Sequence, residues 1–231
     1  MSIKDNIACI QKKIVSAAQR ANRDPQSILL MPVTKTVAPE AIIEAISCGF
    51  SMIGENKVQE IQAKYSALEA FPHKTHLIGH LQTNKVKDVV GLVDCIQSLD
   101  SLRLAKKLQD RLAYEDKTIE ALVQVNVSGE QSKSGVSPEA ALALIKDVIQ
   151  MERITLRGLM TIGANVDDEK VIRQGFRQLA MLQQEAQQKF SHQADFSVLS
   201  MGMSGDMEIA IEEGATLVRV GSAIFGKRHY L

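Results

Sequence analysis

The 231-residue sequence is poor in cysteine, and its three cysteines stand far apart. Cys9, Cys48 and Cys95 show no CxxC spacing, which argues against both a disulfide framework and a zinc site. They are expected to be small buried apolar residues in a reducing compartment. The amphipathic N-terminal segment 1–21 carries charges throughout and lacks the apolar stretch of a secretory signal or a membrane span. We therefore expect a cytoplasmic protein.

The chain also has no excess of charge of either sign. Lysine and arginine together number 27, and so do aspartate and glutamate, which gives a formal net charge of zero. Nucleic acids and anionic membranes are bound through an excess of basic residues. The charge balance therefore predicts that neither a nucleic acid nor a membrane is a partner, and it leaves a monomer and a weak dimer both open.

Apolar segments of strand length alternate with segments of helical periodicity along the chain. The predicted strands are 28–34, 50–54, 75–80, 95–99, 119–127, 156–162, 195–200 and 217–221. Apolar residues at three- and four-residue spacing lie between them, as in "PEAIIEAISCG" and "PEAALALIKDVIQM". Pro39 and Pro138 mark the first turns of predicted helices, and Gly49 and Gly214 mark helix ends.

This alternation favours a parallel sheet of the α/β class. Eight units fit a single TIM-like (β/α)₈ barrel spanning 1–231 as one domain, with residues 1–25 as an additional N-terminal helix. An open doubly wound sheet is the structural alternative. Its first turn is often rich in glycine, whereas "VTKTVAPE" contains none.

Lys35 is a candidate reactive residue, because functional side chains of such barrels gather where strands end. It follows the first predicted strand and shares a face with Met31 and Val33. If that face lines the barrel, burial favours the neutral amine, which is a nucleophile for carbonyl groups and forms Schiff bases. The alternative is an ordinary lysine at a strand end, exposed to solvent.

Two small, glycine-containing turns follow the seventh and eighth predicted strands. The first is "MGMSG" at 201–205, which carries the Ser204 hydroxyl and is expected to open a helix, and the second contains Gly221 and Ser222. Such turns offer hydroxyls and backbone N–H groups to an anion, at the usual phosphate position of a barrel. Arg219 is expected to point inward toward the ligand. Glycine turns are ordinary in barrels, but together with a strand-one lysine they indicate a phosphorylated carbonyl compound held at both ends.

Other polar residues are less specific. Glu55 and Asn56 fall at a strand-to-helix junction, where helix capping and ligand binding explain them equally well. His76 and His80 lack a supporting carboxylate cluster and are expected to be structural, so no metal site is predicted. Lys133 lies in a polar loop that turn formation alone explains.

Seven stretches between residues 34 and 230 carry a family resemblance. They are "TKT", "IGENKVQE", "HLIGHLQTNK", "VQVNVSGEQSKSG", "RGLMTIG", "LSMGMSGDMEIAIEEGATLVRVGSAIFG" and "GKRHY". In this order they resemble the pyridoxal phosphate homeostasis protein family, whose barrel is similar to the alanine racemase N-terminal domain. The chain departs from the family pattern in reading T-K-T-V where S-K-T-K is common, and in carrying Lys57 where an aromatic or other residue is frequent.

The resemblance implies a covalently bound cofactor, pyridoxal 5′-phosphate (PLP). The implied contacts are an internal aldimine on Lys35, Asn56 beside the ring, Arg219 at the pyridine nitrogen, and Ser204, Gly221 and Ser222 at the phosphate. It further implies homeostasis of PLP and of amino and keto acids without established turnover. Amino acids and PLP-dependent apoenzymes are then the expected partners.

Alternatives remain open at this stage. The resemblance places Arg219 beside the ring nitrogen, where its charge would oppose protonation of that nitrogen. Tyr65, Tyr114 and Tyr230 fall at no predicted strand end, so a second acid or base is missing and a binding protein is favoured. A weak PLP-dependent racemase or decarboxylase is the second hypothesis, and a Schiff-base aldolase acting on a sugar phosphate is the third. A barrel that serves only for protein interaction would leave Lys35 and both glycine turns unexplained.

Overall fold

The structure is a computed structural model and describes residues 2–130 and 133–226. Strands in this part of the chain are β1 (Leu29–Pro32), β2 (Met52–Glu55), β3 (Lys74–Leu77), β4 (Cys95–Leu99), β5 (Ile119–Gln124), β6 (Ile154–Met160), β7 (Val198–Ser200) and β8 (Leu217–Val220). Helices are α1 (Ile3–Arg20), α2 (Pro39–Ser47), α3 (Val58–Leu68), α4 (Val86–Val89), α5 (Leu102–Tyr114), α6 (Pro138–Val148), α7 (Glu169–Phe190), α8 (Met207–Glu212) and α9 (Ser222–Phe225). Short 3₁₀ turns occupy Pro25–Ser27 and Thr83–Lys85. The end of the "GKRHY" stretch, with Tyr230, and two residues of "NVSGEQSKSG" lie outside the described residues.

The strands form a nearly closed parallel barrel. Successive strands pair from β2 to β8, and β8 pairs in turn with β1, always in parallel. The remaining gap is bridged just beyond β1, where Val33 pairs with Gly54 and the Thr34 N–H donates to the Gly54 carbonyl at 2.9 Å. The (β/α)₈ prediction is therefore confirmed, and the open doubly wound sheet is wrong.

Most strands are shorter than predicted, although β4 matches its prediction of 95–99. The first strand ends at Pro32 rather than at residue 34, because the chain turns at Thr34. The Thr34 carbonyl accepts a hydrogen bond from the Val37 N–H at 3.0 Å, and Thr36 adopts a left-handed φ of 61°. Lys35 consequently lies within a turn beyond β1 and not at the end of the strand.

The predicted N-terminal helix is present as α1, which packs beside the last two helices of the barrel. Arg20 forms ion pairs with Glu208 and Glu212 of α8, both at 2.8 Å. The Asn6 side-chain amide donates to the Ile224 carbonyl of α9 at 2.8 Å. Both partners of α1 follow the glycine-containing turns, so α1 supports the region where a phosphate site was predicted.

Helix boundaries follow the proline and glycine signals. Pro39 and Pro138 occupy the first turns of α2 and α6. Gly49 and Gly214 follow α2 and α8 with φ values of 101° and 108°, which side-chain-bearing residues rarely adopt. These predictions are confirmed.

The prediction for the cysteines is only partly right. Cys95 is buried in β4, whereas Cys9 on α1 and Cys48, which follows α2 as its C-cap, are exposed. Across the described ranges, none of the helices combines the length and apolar character needed to cross a bilayer.

Candidate functional site

A cavity of about 620 Å³ opens where the strands end and the loops begin. Its size falls within the range of about 300–1,000 Å³ typical of small-molecule sites. The six residues selected from the sequence all line it: Lys35, Asn56, Ser204, Arg219, Gly221 and Ser222. The fold thus brings together groups that are separated by up to 187 positions in the chain.

Lys35 lies on the wall of this cavity and is partly buried. Along the face assigned to it, Met31 is completely buried and Val33 is 7% exposed. Leu29, at the opposite end of that face, is 50% exposed. Lys35 therefore lies at the edge of the apolar barrel interior, between the buried and the solvent-exposed positions that the sequence left open.

The two glycine-containing turns meet on one side of the cavity. The hydroxyl oxygens of Ser204 and Ser222 are 3.4 Å apart, which joins the turn after β7 to the turn after β8. A Cβ added to Gly221 would lie 3.0 Å from the Val33 carbonyl oxygen, so glycine lets this turn pass close to β1. The arrangement presents two hydroxyls to one small region.

The helix after the first turn begins later than predicted. The segment 201–205 does not open a helix directly, because α8 starts at Met207. The Met203 N–H already donates to the Asp206 carboxylate at 2.5 Å. The Met203 N–H is therefore engaged, whereas the hydroxyls of the two turns remain as donors that this side offers to an anion.

Arg219 reaches into the barrel from β8 and is only 3% exposed. Its Nη1 donates to the Ser200 hydroxyl and its Nη2 to the Thr161 carbonyl, each at 2.7 Å. Burial lowers the pKa of Arg219 to about 10, and the nearby Asp206 carboxylate partly offsets this. Because that pKa still lies well above 7, the guanidinium stays charged on the floor of the cavity.

A hydrogen-bonded chain behind Arg219 was not foreseen from the sequence. The Ser200 hydroxyl donates to Gln97 Oε1 at 2.7 Å, and Gln97 Nε2 lies 3.0 Å from His76 Nδ1. Burial lowers the pKa of His76 to about 4, so its ring is neutral at pH 7 and accepts from the Gln97 amide. A glutamine inside the apolar strand "CIQSL" was the one signal for this chain of contacts.

Asn56 follows β2 and is held against the end of β3. A Cβ on Gly79 would lie 2.1 Å from the Asn56 carbonyl oxygen, so only glycine permits this approach. The capping explanation for Glu55 and Asn56 is wrong, because the N-cap of α3 is Lys57 and no side chain caps it. Glu55 instead ends β2 in a buried position.

Two further polar side chains line the cavity. His80 was expected to be structural, yet it lies on the cavity wall, and its Nδ1 is 3.3 Å from Asp100 Oδ2. Lys133 also lines the cavity, and its ammonium contacts Glu130 at 2.7 Å and donates to the Gly163 carbonyl at 3.0 Å. Within the described ranges, no group of three or more histidine, cysteine or acidic side chains is placed to hold a metal ion.

Comparison with known proteins identifies the relatives of this chain. The family described as "Alanine racemase, N-terminal domain" matches residues 3–229. A protein of Aquifex aeolicus named "Pyridoxal phosphate homeostasis protein" is 40% identical over 230 residues, covering 100% of both chains. The chain belongs to the pyridoxal phosphate homeostasis protein family.

Solved structures agree with this assignment. PipY from Synechococcus elongatus, described with PLP bound, is 33% identical, with a TM-score of 0.81 over 94% of this chain and 100% of PipY. Alanine racemase from Clostridium difficile is 16% identical, with a TM-score of 0.71 over 95% of this chain and 56% of the racemase. The similarity to alanine racemase shows only that the two proteins share the barrel fold, as the family resemblance predicted.

Proposed function

We propose that this chain binds PLP as a Schiff base on Lys35 and serves cytoplasmic homeostasis of PLP and of amino and keto acids without catalytic turnover. The observation that carries the proposal is the convergence of an amine, a buried guanidinium and a pair of hydroxyls on one cavity. The PLP-bound PipY relative supports the same cofactor.

The residues of the cavity fit this cofactor chemically. Its phosphate would be held by the hydroxyls of Ser204 and Ser222, at the turn kept narrow by Gly221. The amine of Lys35, once deprotonated, would form a C=N bond to the aldehyde carbon, with loss of one water molecule. Asn56 would contact the ring from the end of β2.

Arg219 is the residue that favours binding of the cofactor over catalytic turnover. When bound, PLP supplies an electron-withdrawing ring that stabilises negative charge next to its imine carbon. The charged guanidinium of Arg219, placed at the ring nitrogen, would oppose protonation of that nitrogen and so weaken the withdrawal. Its contacts with Ser200 and Thr161 keep it in place.

A second candidate function, weak racemase-like proton exchange, is supported by the pairing of His80 with Asp100 on the cavity wall. A carboxylate beside an imidazole orients the ring and supports its role as a base. Incorporation of solvent deuterium at Cα of an added amino acid, reduced in His80→Gln, would favour this candidate.

Titration of the purified protein with PLP tests the main proposal. We expect a visible absorption band that saturates at one equivalent in the wild type and in Lys12→Ala, whose residue is exposed on α1. The band should be absent in Lys35→Ala. A wild-type protein that gives no band, or a Lys35→Ala variant that gives the same one, would overturn the assignment of Lys35.

A further inference from the structure

A buried cluster of charges lies behind the turn that carries Lys35. It consists of Lys64 and Glu60 from α3 and Glu55 from β2, and is called the Lys64 cluster below. The Lys64 ammonium contacts Glu55 Oε1 at 2.8 Å and Glu60 Oε2 at 3.0 Å. Lys64 is 9% exposed and Glu55 is 1% exposed, so these charges are largely withdrawn from water.

The Lys64 cluster binds the backbone on both sides of Lys35. On one side, the Lys64 ammonium donates to the Thr34 carbonyl at 2.8 Å. On the other side, the Thr36 N–H donates to Glu60 Oε2 at 2.6 Å. The residue between these two contacts is Lys35 itself, so the cluster brackets it.

Two features indicate that these contacts hold the turn around Lys35 in a particular backbone conformation. Thr36 has a left-handed φ of 61°, which a β-branched residue adopts only when its surroundings impose it. The Thr34 hydroxyl adds a 2.6 Å hydrogen bond to Glu55 Oε1, which ties the turn to the end of β2.

Stability alone is a weak explanation for the Lys64 cluster. Removing two charges from water costs more than many buried ion pairs recover, and apolar replacements of similar volume are often as stable. Burial also raises the pKa of Glu55, which records the unfavourable desolvation of its charge. Its Oε2 has no hydrogen-bond partner among the described residues.

We propose that Lys64, with Glu60 and Glu55, is a positioning residue that fixes the Lys35 turn so that the lysine amine meets the aldehyde carbon of the cofactor. This inference rests on the function proposed above. Lys64 would not touch the cofactor, because its ammonium is already engaged by three acceptors away from the cavity wall. Loosening the turn would slow C=N bond formation, since misplacement by about 1 Å can cost about 100-fold in rate.

The test separates positioning from general damage by using two ligands. PLP reports formation of the C=N bond, whereas pyridoxine 5′-phosphate has the same ring and phosphate but no aldehyde. For Glu60→Gln and Lys64→Met we expect the rate of bond formation with PLP to fall about 10- to 100-fold. Affinity for pyridoxine 5′-phosphate should change less than about threefold, since the phosphate side is untouched.

Matched controls are Glu69→Gln, an exposed residue at the end of α3, and Lys64→Arg, which restores the cation. The first should behave as the wild type, and the second should recover part of the rate. An equal loss for both ligands, or an unchanged rate with PLP, would overturn the positioning role while leaving the function proposed for Lys35 intact. A wild-type protein that forms no bond with PLP would instead overturn the proposed function.

Amide hydrogen exchange in the ligand-free protein provides a readout that needs no cofactor. The Thr36 amide should exchange markedly faster in Glu60→Gln than in the wild type or Glu69→Gln, because its acceptor is weakened. If the Thr36 amide in a normally folded Glu60→Gln variant exchanges as slowly as in the wild type, Glu60 does not hold the backbone next to Lys35.

Discussion

Arg219 and Lys64 are both buried cations near the same cavity, but their partners differ. Lys64 is in direct contact with two carboxylates, Glu55 and Glu60. The direct partners of Arg219 in the described part of the chain are a hydroxyl and a backbone carbonyl. A cation with anionic partners has its charge largely balanced, whereas one with neutral partners keeps a net charge for a ligand. We therefore propose that Lys64 holds the backbone, whereas Arg219 keeps its charge for the proposed cofactor.

The largest effect is expected from removing the Lys64 cation. Lys64→Ala would leave Glu55 as an unpaired buried carboxylate, which costs about 3–5 kcal/mol in the free energy of unfolding. Urea denaturation at pH 7 measures this loss. The loss of stability in Lys64→Ala should become smaller as the pH falls, because Glu55 then binds a proton and loses its charge. Burial already raises the pKa of Glu55, which favours this protonation.

The double variant Glu55→Gln/Lys64→Met is the control for this experiment. Removing both charges should recover most of the lost stability, since no buried ion is then left without a partner. If Lys64→Ala costs less than about 1 kcal/mol, the contrast with Arg219 fails, because Lys64 would then be no better paired than a surface charge.

The free energy of unfolding should depend on pH through His76, which ends the hydrogen-bonded chain behind Arg219. Its pKa is depressed to about 4 from an ordinary 6.5, so the unfolded chain binds a proton that the folded chain excludes. This contribution to stability is complete above pH 6.5 and is lost as the pH falls toward 4, by about 3 kcal/mol in total. His76→Asn should flatten that part of the stability profile, measured by denaturation at each pH.

The matched control for His76 is His80→Gln, because His80 is half-exposed on the cavity wall. That variant should retain the wild-type slope between pH 4 and 6.5. Equal flattening by both substitutions would show that burial of His76 does not set the slope.

The surroundings of Arg219 and of Lys64 also show what the sequence could and could not reveal. The gathering of Lys35, Arg219 and the serines of the two turns on one cavity was predictable, because strand ends and glycine turns are visible in a single sequence. The chain from Ser200 through Gln97 to His76 was not, since its members lie on three strands that only the register of the closed barrel brings together. The pairing of Lys64 with Glu60 follows from helical spacing, but its contact with the Thr34 carbonyl does not.

The turn around Lys35 was also beyond sequence reasoning. Threonine favours extended backbone, so nothing in "VTKTV" signals a left-handed Thr36. The strand was therefore predicted to continue through residue 34. Tertiary contacts from α3 override the local preference, which explains why the predicted strand end was wrong.

A smaller effect is expected from removing the Arg219 cation. Arg219→Met loses two hydrogen bonds to neutral acceptors, which should lower the free energy of unfolding by about 1–3 kcal/mol. The loss should be smaller than that of Lys64→Ala, because the Asp206 carboxylate, which Arg219 affects only at a distance, keeps its hydrogen bond from the Met203 N–H. Thermal unfolding of both variants side by side measures the difference, and a larger loss in Arg219→Met would reverse the comparison.

The smallest effect should come from the hydroxyls of the two turns. Ser204→Ala and Ser222→Ala each remove one hydrogen-bond donor, worth about 0.5–1.5 kcal/mol, so affinity for PLP should fall up to about tenfold. Equilibrium titration measures this, with the exposed Ser191→Ala as control. An unchanged affinity in the double serine variant would place the phosphate elsewhere.

We propose Lys35 as the covalent anchor of the cofactor. This proposal is tested most directly by loading the protein with PLP, reducing with borohydride, and mapping the modified peptide by mass spectrometry. We expect a pyridoxyl mass on the peptide that contains Lys35, and no such mass on the peptides of Lys64 and Lys133. A label on another lysine, or none after loading, would contradict it.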